Sequence, residues 1–147
     1  RATIFDRPEV IAMARQRAAE AGMGERVEFV AGDFETDPLP GGFDLALVSA
    51  IIHQNSPEEN LALFGKVFAC LLPGGRVVVR DHVLSPDRTK PRSGALFSVN
   101  MLVGTAGGNS YTEAEIREAL AGAGFERVRL IHPDERMDGL VEAFKPR

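Results

Sequence analysis

Residues 43–80 have the sequence FDLALVSAIIHQNSPEENLALFGKVFACLLPGGRVVVR, which contains one complete strand–helix–strand unit. Phe43 to Ser49 is a continuous apolar segment, which is typical of a parallel-sheet strand covered on both faces. Ser56-Pro57-Glu58-Glu59 combines a capping box with a proline at the first helical position and therefore predicts a helix start. Pro73-Gly74-Gly75 ends this helix in a turn, and residues 76–80 form the next strand.

The same alternation extends in both directions from this unit. A polar loop over residues 35–42, rich in proline and glycine, precedes it, and another over residues 86–92 follows it. Further strands are predicted over residues 2–6, 26–31, 126–132 and 139–145. Further helices are predicted from Pro8 to Gly22, over residues 96–103, and from the capping box Thr112-Glu113-Ala114-Glu115 to Gly124.

Strands that alternate with helices predict right-handed crossovers and a three-layer α/β fold with a mostly parallel sheet. No helix separates the last two strands, so we expect them to pair antiparallel. The length of 147 residues suits one domain.

The composition narrows the class of function. A formal net charge of −4 and a sequence pI of about 5.4 give no basic surface for nucleic acid or an anionic membrane. The apolar runs are too short to span a bilayer, and one cysteine forms no internal disulfide. We expect a cytoplasmic protein without metal. The chain begins with Arg1 inside a strand, so we expect that sequence upstream has been lost.

Acidic residues follow the first two predicted strands, at the edge where open α/β sheets bind ligands. Asp6 ends the first strand, and a carboxylate there can accept hydrogen bonds from both hydroxyls of a ribose. Asp33 and Phe34 follow the second strand, where they could bond an adenine amino group and cover its ring. The alternatives are a helix cap for Asp6 and a loop turn for Asp33. The pair in successive strand ends favours a nucleoside.

His53 is the strongest candidate for catalysis. It follows a buried strand and precedes a capped helix, so we expect its ring to face the cleft. Asp81 ends the adjacent strand, and a carboxylate beside an imidazole orients the ring for general-base work. The alternative is a structural histidine, which is our interpretation of His82 and His132. Cys70 is expected to be a small buried hydrophobe.

These motifs together resemble a known family. Residues 5–10, Gly32-Asp33-Phe34, residues 53–59, residues 72–76 and Gly122-Ala123-Gly124-Phe125 occur in the order seen in class I S-adenosylmethionine-dependent methyltransferases of the caffeate and chalcone O-methyltransferase type and their bacterial relatives. The resemblance covers the whole chain and implies a Rossmann-like methyltransferase fold. By this resemblance the cofactor S-adenosylmethionine is bound by Asp6, Asp33, Phe34 and Ser49, the base is His53 oriented by Asp81, and the acceptor pocket includes Met101 and Thr105.

The sequence also departs from that family. Gln54-Asn55 stands where the family has Asp-Trp, and Ser110 stands where the plant enzymes have a second orienting carboxylate. Ser49 replaces a frequent basic residue near the cofactor. These differences put plant phenylpropanoid substrates in doubt. The family's first strand and glycine-rich turn, and its amino-terminal dimerisation region, have no counterpart, so the chain is interpreted as a partial catalytic domain of a homodimeric parent.

The sequence therefore predicts methyl transfer to a hydroxyl oxygen of a small aromatic or polyketide-like natural product, with little or no activity in this chain alone. A first alternative keeps the cofactor and changes the acceptor to nitrogen or carbon. A second is a catalytically silent fragment that acts in oligomerisation. A nicotinamide-dependent oxidoreductase shares the layers but lacks the Pro-Gly-Gly turn and the histidine segment.

Overall fold

Eight strands and four helices alternate along most of the chain in the computed structural model, which describes all 147 residues. The strands are β1 (Ala2–Asp6), β2 (Val27–Ala31), β3 (Phe43–Ser49), β4 (Leu71–Asp81), β5 (Val83–Leu84), β6 (Tyr111–Thr112), β7 (Glu126–His132) and β8 (Gly139–Phe144). The helices are α1 (Pro8–Glu20), α2 (Pro57–Cys70), α3 (Arg92–Gly104) and α4 (Glu113–Gly122). The chain divides into two compact units, Arg1–Leu39 and Pro40–Arg147.

The first unit is built on a parallel strand pair. Strands β1 and β2 pair in register from Ala2 opposite Val27 to Asp6 opposite Ala31, and α1 connects them. Pro8 stands at the start of α1, where its missing N–H is not needed, and Ile11 is buried. Because the two strands run in the same direction, the segments that follow them meet at one edge.

The second unit contains a four-stranded sheet in the order β3-β4-β8-β7. Strands β3 and β4 pair parallel, while β8 pairs antiparallel with both β4 and β7. Three strands thus run in one direction and the C-terminal strand in the other, which confirms the predicted arrangement. Two of the three pairings are nevertheless antiparallel, because β8 inserts between β4 and β7.

Strand β4 begins earlier than predicted, at Leu71 instead of Arg76. Phe43 pairs with Leu71, and the next pair joins Leu45 to Arg76, so residues 72–75 bulge out of the ladder. Gly74 has a positive φ of 81°, which a glycine adopts without steric cost. The Pro-Gly-Gly segment is therefore a bulge within paired strand as well as the turn after α2.

Helix α2 buries a polar residue as well as apolar ones. Ser56 caps it in the expected capping box, with both reciprocal hydrogen bonds present. Leu61 is exposed, however, and the sequence pattern missed a polar residue, Asn60, on the buried face. Buried side chains on α2 are Asn60, Leu63, Phe64, Val67 and Cys70.

Two features between β4 and α4 differ from the prediction. Helix α3 begins at Arg92, directly after Pro91, a full turn before residue 96. Strands β5 and β6 form a two-residue parallel pair, which is too short to leave a periodic signal.

None of the helices combines the length and hydropathy needed to cross a membrane. The exposed apolar side chains of α3 are Leu96, Val99, Leu102 and Val103.

Candidate functional site

His53 lies on a short 3-10 turn, Ile52–Gln54, that follows β3. Ala50 turns the chain out of the strand with a φ of 56°, in the left-handed region that non-glycine residues rarely adopt. The N–H of Ala50 still donates to the carbonyl of Arg80 at 2.9 Å, so the parallel ladder continues to this point. The turn is thereby fixed beside the end of β4.

The ring of His53 is paired with Asp81, as predicted. Its Nδ1 atom lies 2.9 Å from Oδ1 and 3.0 Å from Oδ2 of the carboxylate. Asp81 is fully buried and His53 is 8% exposed. A carboxylate accepts hydrogen bonds, so this contact places the proton of the neutral ring on Nδ1 and leaves a lone pair on Nε2.

The Nε2 atom of His53 remains accessible. No hydrogen bond reaches it, and the chain has no buried side-chain nitrogen or oxygen without a partner. An unbonded ring nitrogen in this structure is therefore one that solvent reaches. A buried, oriented imidazole with one accessible basic nitrogen is the arrangement that a general base requires.

A buried polar network supports the turn that carries His53. The amide nitrogen of Asn60 donates to the carbonyl of Ile52 at 3.0 Å, and that of Asn55 donates to Oδ1 of Asn60 at 3.2 Å. Tyr111 donates its hydroxyl to the carbonyl of Asn55. Burial raises the pKa of Tyr111 to about 12, against a smaller lowering by Asn60. Asn55, a departure from the family pattern, is thus part of the support for His53.

Gly108 also contacts this turn, and the sequence pattern did not single it out. A Cβ atom at this position would overlap the carbonyl oxygen of His53 and lie 2.5 Å from Oγ1 of Thr105. The preceding residue, Gly107, is similarly close to Cβ of Ser56, at 2.8 Å. The Gly-Gly dipeptide in a polar segment was the available signal, because glycine permits close backbone approach.

His82 is buried, as a structural histidine would be, and its Nδ1 atom lies 2.7 Å from Oδ2 of Asp134. The side chain of Asp134 is 0% exposed. Phe97 contacts both histidine rings, with centroid distances of 4.9 Å to His53 and 5.1 Å to His82. The two histidine–aspartate pairs therefore lie on one aromatic ring. His132 is exposed.

The other residues of the second unit that the sequence predicts for the cofactor or acceptor site make hydrogen bonds within the protein. Arg80 donates to Oγ of Ser49 at 3.4 Å. The hydroxyl of Thr105 donates to the carbonyl of Met101 and accepts the N–H of Gly108, so it closes the end of α3. Ser110, which stands where the plant enzymes of the resembling family have a second orienting carboxylate, donates to the carbonyl of Gly94 at 3.1 Å. Thr105 also lines a cavity of about 520 Å³ beside α3.

In the first unit, Asp6 is not a helix cap. Its Oδ1 accepts only the N–H of Arg7, and α1 has no side-chain cap. Asp33 does form a turn, since its Oδ1 accepts the N–H of Glu35 at 2.9 Å, while Oδ2 lies 3.8 Å from Arg7. Strand pairing brings Asp6 and the segment of Asp33 and Phe34 to the same edge, because Gly32 donates its N–H to the carbonyl of Asp6.

Gly32 is required by its surroundings. A Cβ atom there would lie 2.5 Å from Cζ of Phe5 and 3.1 Å from Oδ2 of Asp37. The glycine lets the chain pass directly over the ring of Phe5 and present Asp33 at the edge. This close approach leaves the carboxylates of Asp6 and Asp33 beside successive strand ends, where they can accept hydrogen bonds from the hydroxyl and amino groups of a nucleoside.

Two other chemistries have little support. Cys70 is buried, its thiol donates to the carbonyl of Val67 at 3.1 Å, and burial raises its pKa, so it is a packing residue and not a nucleophile. No group of three or more histidine, cysteine, aspartate or glutamate side chains is placed to hold a metal ion.

Comparison with known proteins places these residues in a family context. The family model described as an O-methyltransferase domain matches residues 1–126. The 3-hydroxy-5-methyl-1-naphthoate 3-O-methyltransferase of Streptomyces sahachiroi is 40% identical over 129 residues, which are 88% of this chain and 37% of that protein. An L-tyrosine C(3)-methyltransferase of Streptomyces lavendulae is 34% identical over 125 residues, covering 84% of this chain and 34% of that protein.

Solved structures agree with the family match. An O-methyltransferase family 2 protein from Planctomyces limnophilus, in complex with apigenin, has a TM-score of 0.89 at 34% identity and covers 99% of this chain and 43% of that one. Human N-acetylserotonin methyltransferase in complex with SAM has a TM-score of 0.86 at 30% identity, covering 99% and 40%. The chain thus spans less than half the length of these relatives.

Proposed function

Because the chain belongs to the O-methyltransferase domain family, we propose that it is part of an enzyme that transfers a methyl group from S-adenosylmethionine to a hydroxyl oxygen of a small molecule. The observation that carries this proposal is the buried pair of His53 and Asp81, with the Nε2 atom of His53 accessible. The chain spans 37% of the length of a curated relative, so the activity is proposed for the whole protein.

His53 would act as the general base. Its Nε2 atom takes the proton of the acceptor hydroxyl, while Asp81 holds Nδ1 and stabilises the imidazolium that forms. A positioned base of this kind contributes roughly 10²–10⁴-fold in rate. Because methyl transfer is a direct displacement, the rest of the protein mainly orients the acceptor and excludes water.

The first unit would bind the nucleoside part of the cofactor. Asp6 would accept hydrogen bonds from the ribose hydroxyls, and Asp33 with Phe34 would bind the adenine. When bound, S-adenosylmethionine supplies a sulfonium methyl group as the electrophile. Ser49 is the further residue proposed for cofactor binding.

The acceptor would be an aromatic or polyketide-like natural product. Support comes from the relative that acts on a naphthoate and from the relative bound to apigenin. Met101 and Thr105 remain the residues proposed for the acceptor pocket. Since the hydroxyl of Thr105 is engaged within α3, its contact with the acceptor would be through its methyl group.

A transfer to carbon or nitrogen is the second candidate, favoured by the similarity to an L-tyrosine C(3)-methyltransferase. An amine that is already neutral needs little help from a base, so transfer to nitrogen differs from transfer to oxygen in its dependence on His53. A silent domain that acts in oligomerisation is the third candidate. It differs from both in binding no S-adenosylmethionine.

Replacement of His53 by Ala tests the proposal. Turnover should fall roughly 10²–10⁴-fold while affinity for S-adenosylmethionine is kept. His132→Ala is the matched control, because this histidine is exposed, and it should retain wild-type turnover. Retained activity in the His53 variant would favour a nitrogen acceptor.

Titration calorimetry with S-adenosylmethionine separates the silent domain from the enzymes. Saturable heat that is lost in Asp6→Asn supports the proposed cofactor site, and no heat in the wild type supports the silent domain.

We also propose a homodimeric parent protein in the cytoplasm, on the family resemblance. Light scattering of the purified protein would test the dimer.

A further inference from the structure

The pair of His82 and Asp134 lies outside the machinery described so far but contacts it on two sides. We propose that His82 and Asp134 form a positioning device, which holds the carboxylate of Asp81 and the ring of Phe97 so that His53 keeps its Nε2 atom free. This inference deepens the proposed function and rests on it. It assigns no contact with the reacting atoms to either residue.

The first connection runs through the backbone. The main-chain N–H of His82 donates to Oδ1 of Asp81 at 2.8 Å, and the same oxygen lies 2.9 Å from Nδ1 of His53. Asp81 is fully buried, so these donors set its rotamer. A change in the backbone at position 82 would therefore rotate the acceptor that orients His53.

The side chain of His82 fixes that backbone in turn. Its Nδ1 atom lies 2.7 Å from Oδ2 of Asp134, and the same oxygen accepts the N–H of Val83 at 3.2 Å. The other oxygen of Asp134 accepts the N–H of Asp138 at 3.1 Å. The carboxylates of Asp81 and Asp134 thus hold successive N–H groups, at 82 and 83, from two sides.

The second connection runs through Phe97 on α3. Its ring meets the ring of His53 edge to face, with an interplanar angle of 84°, and meets that of His82 at 51°. Packing of this type contributes a preferred orientation as well as buried area. Because both rings rest on Phe97, the removal of one ring leaves space into which Phe97 can move away from the other.

Gly94 closes the device against α3. A Cβ atom there would lie 3.1 Å from Nδ1 of His82 and 2.9 Å from Cδ2 of Leu84, so the first turn of α3 packs directly on His82. Ser110 donates to the carbonyl of Gly94 and holds this turn in place. Ser110 therefore supports His82 through the backbone of α3.

The ring ¹⁵N resonances of His53 provide a test that needs no methyl transfer. In the wild type we expect the Nδ1–H tautomer. His82→Leu and Asp134→Ala each remove the pair. Each should lower the ratio of the Nδ1–H to the Nε2–H tautomer of His53 about fivefold, the change expected if the hydrogen bond from Nδ1 to the displaced Asp81 is lost. His82→Asn keeps a donor toward Asp134 but removes the ring that rests on Phe97, so it should restore the ratio only in part. His132→Leu is the matched control and should leave it unchanged.

A wild-type tautomer ratio in a folded His82→Leu or Asp134→Ala variant would overturn the proposal. If both variants lost their fold while His82→Asn kept it, the pair would serve stability alone, and the positioning role would be wrong. Failure of the proposed function is distinguished by a different measurement, the binding of S-adenosylmethionine. A protein that binds no S-adenosylmethionine can still show the expected tautomer change.

Discussion

Gly108 lies directly against the carbonyl oxygen of His53, so close that a Cβ atom at position 108 would overlap it. The position of His53, the catalytic candidate, therefore depends on a residue without a side chain that lies 55 positions later in the sequence (108 − 53). We predict that Gly108→Ala lowers the free energy of unfolding by about 1–3 kcal/mol, because the turn of His53 must shift.

Urea unfolding measures this effect as a lower midpoint with an unchanged slope. Gly104→Ala is the matched control, since a Cβ atom there would contact nothing beyond its chain neighbours and its own helix backbone, and it should leave the midpoint nearly unchanged. Equal midpoints for the two variants would mean that Gly108 does not constrain His53.

Replacement of Asp81 by Ala should destabilise the protein as well as disorient His53. The change leaves Nδ1 of His53 and the N–H of His82 without their buried acceptor. Each buried donor without a partner costs about 1–3 kcal/mol. Asp44→Ala, at an exposed position on β3, is the control and should change the stability by less than about 0.5 kcal/mol. A stable Asp81→Ala protein would contradict the proposed role of this carboxylate.

Tyr111 is the only tyrosine, so its ionisation can be read from the absorbance of the intact protein. The folded protein should titrate at about pH 12, because burial disfavours the phenolate. The urea-unfolded protein should titrate near the ordinary value of about 10. A folded midpoint near that of the unfolded chain would show that Tyr111 is not held beneath the turn of His53.

The same titration predicts how stability depends on pH. Above pH 10 the unfolded tyrosine releases its proton while the folded one retains it, so the unfolded state binds fewer protons. Stability should consequently fall as the pH rises from about 10 to about 12, the pKa of the folded group. Tyr111→Phe should remove this fall.

Gly32→Ala should weaken the first unit selectively. The added methyl group would lie 2.5 Å from Cζ of Phe5, and the ring or β2 must move to admit it. We expect a loss of about 1–3 kcal/mol in the protection of β1 and β2 amides against hydrogen exchange. Gly24→Ala, which has open space around it, should leave this protection at the wild-type level. Unchanged protection in both variants would contradict the close packing of Phe5 on Gly32.

Local patterns predicted the pairing of His53 with Asp81. Both residues follow apolar strands that the alternation of elements makes neighbours, so the ends of β3 and β4 had to meet. The capping boxes at Ser56 and Thr112 were also predicted correctly, because each depends on residues only three positions apart.

Long-range partners could not be predicted in this way. Asp134 is 52 residues from His82, and no periodicity connects them. The overlap of Gly108 with the turn of His53 is of the same kind. The bulge of residues 72–75 was hidden because proline and glycine indicate a turn equally well within and outside a strand. Asn60 was missed because a periodic pattern of apolar residues does not indicate which polar side chains are buried.

The position of β8 has a consequence for synthesis on the ribosome. Strands β3, β4 and β7 are synthesised before β8. In the sheet, however, β8 lies between β4 and β7, so these two strands have no common neighbour until residues 139–144 emerge from the ribosome. Lys145 then donates to the carbonyls of Phe68 and Leu71, where α2 passes into β4. The four-stranded sheet beside His53 and Asp81 can therefore close only after residues 139–144 have been translated.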